Sequence, residues 1–146
     1  MLNEQINIKA IKEAVQHCCQ EKECVACKGK ECLIGFAKLV SEYAGMKKAL
    51  SIPNGLKMVP TGDFKVYETD DVAFALAMIN HECKNCQDNH DDNCVINIMR
   101  SSLEVALLGE HSDFAGNPLL YVMNLSRVNP ELGEKVMTAY HQLKNQ

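Results

Sequence analysis

Residues 69–109 read TDDVAFALAMINHECKNCQDNHDDNCVINIMRSSLEVALLG. Within them Val72, Ala75, Leu76 and Ile79 recur at spacings of three and four, which predicts a helix with one buried face. Thr69 or Asp70 supplies a cap for its start. A second helical run, from about Asp91 to Gly109, turns Val95, Ile98, Met99, Leu103 and Ala106 inward. Between the two runs lies a polar connection that is rich in cysteine. The stretch therefore reads as helix, ligand-bearing connection, helix.

The same pattern extends toward both ends of the chain. Asn3 can cap a first helix that runs to about Gln20, with Ile8, Ile11, Val15 and Cys18 on one stripe. A loop, Glu21 to Lys30, separates it from a helix of about Glu31 to Leu50, whose buried face is Leu33, Phe36, Ala37, Val40 and Ala44. Pro53-Asn54-Gly55 breaks that helix. Leu56, Met58, Phe64 and Val66 fall in two short runs around Pro60-Thr61-Gly62-Asp63, which predicts a small β-hairpin over about residues 56–68. Two further helices start at Asn117-Pro118 and Asn129-Pro130, each an N-cap followed by proline at the first helical position. The expected fold is mainly α, about six helices in a compact bundle with one hairpin. Residues 1–146 are read as a single cysteine-rich, metal-binding domain.

Composition narrows the function classes. The formal net charge is −4 and hydrophobic residues make up 47% of the chain. Residues 1–50 carry +2, residues 51–100 carry −4 and the remainder −2. No general electrostatic case for nucleic acid arises. No apolar run is long enough to span a bilayer, and residues 1–15 lack the pattern of an export leader. A reducing cytoplasm is the expected compartment, so the eight cysteines are read as metal-binding or redox groups rather than as a disulfide framework.

Cys83, Cys86, His90 and Cys94 form a C-x2-C-x3-H-x3-C set within twelve residues. A C-x2-C pair can grip one ion from a tight turn. His90 and Cys94 are four apart, so a helical turn brings them to one side. Three thiolates and an imidazole make a closed tetrahedral set for zinc. Asp88, Asp91 and Asp92 add negative potential that favours a cation. The spacing resembles the retroviral-type zinc knuckle, with each of the two longer intervals one residue shorter. The segment lacks the aromatic and basic set with which knuckles grip single strands, so nucleic-acid binding is not expected. A closed set of this kind is structural by default.

Cys19, Cys24, Cys27 and Cys32 lie at C-x4-C-x2-C-x4-C. A central C-x2-C flanked by single cysteines suits a loop wrapped around an iron–sulfur cluster, or a second zinc. Three of these thiols repeat the C-x4-C-x2-C run of plant-type ferredoxins, whose mostly β fold this chain does not resemble. Cys32 would stand in the first turn of a helix, where backbone N–H groups favour a thiolate. Lys28 and Lys30 add positive potential. Cys18 extends the apolar stripe of the first helix and is read as core.

No phosphate loop, H-E-x-x-H or G-x-S-x-G is present, and no catalytic residue is assigned. The leading expectation is a small cytoplasmic metal-binding protein that acts as regulator, carrier or assembly partner, with a protein partner or a second copy of itself and no membrane. The competing readings are a thiol–disulfide redox protein using Cys24 and Cys27, and a single larger iron–sulfur centre on which all the cysteines converge.

Overall fold

A computed structural model describes residues 8–19, 31–47, 51–62, 67–83, 94–109 and 118–144. Six α-helices fill most of them: α1 (Ile8–His17), α2 (Leu33–Lys47), α3 (Thr69–Cys83), α4 (Val95–Leu108), α5 (Pro118–Val128) and α6 (Pro130–Lys144). A short 3-10 helix, Gly55–Met58, lies between α2 and α3. The mainly helical expectation holds.

The expected hairpin does not. Among the described residues the only β pairing is an isolated antiparallel bridge between Ser51 and Cys94. The alternation of Leu56 and Met58 imitates a strand, but the positions that face inward are Gly55 and Val59, one helical turn apart. Gly55 makes this possible. A Cβ at that position would collide with the Ile98 side chain of α4, so only glycine lets the 3-10 helix lie so close. The other half of the expected hairpin, with Phe64 and Val66, lies outside the described residues.

Helix ends follow local chemistry. Gly109 takes the left-handed conformation, with φ of 83°, and its N–H donates to the Val105 carbonyl at 2.8 Å, which stops α4. Asn129 caps α6, its side-chain oxygen accepting from Leu132 N–H at 3.1 Å. The start of α3 differs from expectation. Val72 N–H donates to the Glu68 carbonyl at 3.1 Å, so the helix begins one residue earlier than a Thr69 cap would allow. Asn117 lies outside the described residues.

Buried apolar residues from all six helices join in one core. At its centre is α4, which is buried on every side from Val95 through Val105 and packs on α2, α3 and the 3-10 helix. The expected inward stripe of α4 is therefore only part of its buried surface. α3 lies against α1, α4 and α6, and α5 pairs with α6.

Two contacts fix the direction of α2 against α4. Ser102 Oγ donates to the Leu33 carbonyl at 2.7 Å, joining the middle of α4 to the start of α2. Ser51, just past α2, bridges to Cys94, just ahead of α4. The two helices run antiparallel. α1 and α2 are antiparallel as well, because Lys12 pairs with Glu42 at 3.8 Å and Lys38 approaches Cys19. The end of α1 and the start of α2 thus share one end of the bundle. The start of α4 lies at the other.

Candidate metal-binding connections

Both cysteine groups fall at a helix–helix connection, and they do so in the same way. In the first, Cys19 stands just past α1 and Cys32 just ahead of α2. In the second, Cys83 is the last residue of α3 and Cys94 stands just ahead of α4. Each set of four expected ligands opens at the C-terminus of one helix and closes at the N-terminus of the next. Cys24, Cys27, Cys86 and His90, and the side chain of Cys83, lie outside the described residues. Among the described residues no three His, Cys, Asp or Glu side chains come together as a metal-holding group. Among the described residues no two of Cys18, Cys19, Cys32 and Cys94 form a disulfide.

Cys32 is 8% exposed. Its carbonyl accepts from Phe36 N–H at 2.7 Å, which opens the hydrogen-bond ladder of α2. Its sulfur lies 2.9 Å from the hydroxyl of Tyr67, which is itself buried and comes from the segment leading into α3. When Cys32 is a thiolate it has no proton to give, so the phenol must be the donor. Cys19 is half-buried, and the Lys38 ammonium stands 4.0 Å from its sulfur. That distance is a charge contact more than a tight hydrogen bond. Both outer cysteines of the first connection thus have a polar side chain from another position at the sulfur.

Cys18 is different. It is almost fully buried, and its thiol donates to the Ala14 carbonyl at 3.6 Å. Burial pushes its pKa up from 9.0 to about 12, and the negative charges of Asp71 and Cys19 push the same way. A thiol held protonated is a poor ligand, in keeping with Cys18 as core.

Cys94 is 6% exposed and occupies the N-cap position of α4 in an extended conformation, with no side-chain capping hydrogen bond. Its carbonyl accepts from Ile98 N–H at 2.9 Å. Its sulfur is thus not committed to capping its own helix.

A cluster that sequence reading passed over lies along α4, from Asn97 to Glu104. Arg100 is 2% exposed, and its Nη1 donates to Asn97 Oδ1 at 2.8 Å. The guanidinium sits 5.3 Å from the centre of the Tyr121 ring. The Tyr121 hydroxyl donates to the Glu104 carboxylate, tying α5 to α4. Burial, then the neighbouring Glu104 charge, pushes the Tyr121 pKa well above its ordinary value, so the phenol stays protonated and remains a donor. Opposite charges at Arg100 and Glu104, four apart in a mostly apolar run, were the available signal.

A groove of about 500 Å³ runs between α3 and α6, lined by residues that include Phe74, Thr138 and Gln142. Lys135 bonds to Asp70 across it at 2.5 Å. None of its described lining residues is a cysteine or histidine. His17 and His141 are both exposed. No helix among the described residues is long and apolar enough to cross a membrane. The chain matches no known protein family, curated protein or solved structure.

Proposed function

We propose that this protein is a metal-binding helical bundle with a separate centre at each of two connections. Cys83, Cys86, His90 and Cys94 hold zinc between α3 and α4. Cys19, Cys24, Cys27 and Cys32 hold an iron–sulfur cluster or a second zinc between α1 and α2. The observation that carries this reading is the shared placement of the outer cysteines, each at a helix end on either side of a short connection. Four ligands so arranged join two helices through one ion, and the free energy of binding then adds to that of folding.

The antiparallel packing of α2 and α4 supports two centres over a single convergent one. Cys94 precedes Ser102 by eight residues of helix, on the order of 12 Å, and Ser102 is already at the start of α2, next to Cys32. The closed zinc set would be structural. The first centre, in the more basic part of the chain, would carry the function, as a regulator, carrier or assembly partner rather than an enzyme.

His90→Ala tests the zinc site. Zinc content and melting temperature should fall together, while metal at the first connection is retained. If neither zinc content nor melting temperature changes, the second site is wrongly assigned.

A further inference from the structure

We propose that Tyr67 and Lys38 are positioning residues that raise the reduction potential of an iron–sulfur cluster at the first connection. This rests on the iron–sulfur form of the reading above. Both outer sulfurs of that set meet a donor: Cys32 with the Tyr67 hydroxyl at 2.9 Å, and Cys19 with the Lys38 ammonium at 4.0 Å. The donors come from different elements. Tyr67 lies 35 positions from Cys32, and Lys38 is in the second turn of α2.

The chemistry follows from charge. A cluster held by four thiolates is anionic, and reduction adds one electron, spread over iron and sulfur. A donor to sulfur stabilises the reduced form more than the oxidised one, so it raises the potential. Cys32 and Tyr67 are both buried, and in so dry a setting the hydrogen bond is electrostatically stronger than it would be in water. Lys38 is half-exposed and contributes as a screened positive charge. Tyr67 should therefore have the larger effect. A zinc centre takes up no electron and would show no such dependence.

The test is a dithionite titration of anaerobically prepared protein, wild type beside Tyr67→Phe, Lys38→Gln and Lys38→Arg, with iron and sulfide measured in each. Dithionite supplies the electron. Tyr67→Phe should lower the potential by about 59 mV, a tenfold change in a one-electron equilibrium. Lys38→Gln should lower it less, and Lys38→Arg should restore most of the wild-type value. Since Lys38 is half-exposed, its variants keep the test open even if Tyr67→Phe unfolds the protein. Clusters present in all variants with unshifted potentials would overturn the roles of Tyr67 and Lys38 and leave the cluster standing. Wild-type protein without iron and sulfide would overturn the cluster, and these roles with it.

Discussion

Cys32 and Cys94 occupy equivalent places. Each stands just ahead of a helix, each is nearly buried, and each closes a set of four expected ligands. Their surroundings differ. Cys32 has a phenol on its sulfur, and a lysine stands beside its partner Cys19. Cys94 is placed through its backbone, by the bridge to Ser51 and by the first turn of α4. The position of a cysteine on a helix thus sets its availability as a ligand. The side chains brought to it by other elements set its electronic character. In the proposed function the α3–α4 connection holds a structural ion and the α1–α2 connection a centre whose charge changes.

The largest expected effect would break or keep this contrast directly. Removing zinc from the second connection, by chelation or by His90→Ala, should cost about 4 kcal/mol when free zinc stands a thousandfold above its dissociation constant. Urea unfolding with and without zinc measures this. The first centre should keep its absorption throughout.

Glu104→Gln comes next. It removes the charge beside buried Arg100 and weakens the bond from Tyr121, at an expected cost of roughly 2 kcal/mol. Metal content at both connections should be unchanged, since Glu104 lies ten residues along the chain from Cys94, nearly three turns into α4. Loss of metal in this variant would show that the connections depend on the core in a way this comparison does not allow.

The smallest effect sharpens the distinction between Cys18 and its neighbour Cys19. The Cys18 pKa is raised from 9.0 to about 12 on folding, so the folded state holds its proton more tightly than the unfolded state. Its contribution to stability is complete below pH 9 and declines between pH 9 and about 12. The slope should approach 1.4 kcal/mol per pH unit. Unfolding measured across that range should show the decline, and Cys18→Ala should flatten it. An unchanged slope would mean that Cys18 is not the buried thiol described.

Much of the helical framework was legible in the sequence. The stripes of α1 to α4, the start of α6 at Asn129-Pro130 and the end of α4 at Gly109 all rest on local periodicity and capping, which the chain states within a few residues. What was not legible depends on distant partners. Leu56 and Met58 alternate as a strand would, and only the closeness of Gly55 to Ile98 shows that the segment turns as a 3-10 helix. Arg100 and Glu104 drew no notice in the sequence, and the packing around α4 buries both. The candidate site divides in the same way. Cysteine spacing is the source of the proposed ligand sets, and the reading of Cys18 as core agrees with its burial. The donors Tyr67 and Lys38 carry no such mark, because tertiary packing alone brings them to the sulfurs.

Elemental analysis and absorption spectroscopy of anaerobically purified protein test the central claim most directly. The iron–sulfur form of the proposal predicts brown protein with iron and sulfide in matching amounts, and the two-zinc form colourless protein with two zinc ions per chain; in both, one zinc is lost in His90→Ala. Colourless protein containing neither zinc nor iron would contradict the account.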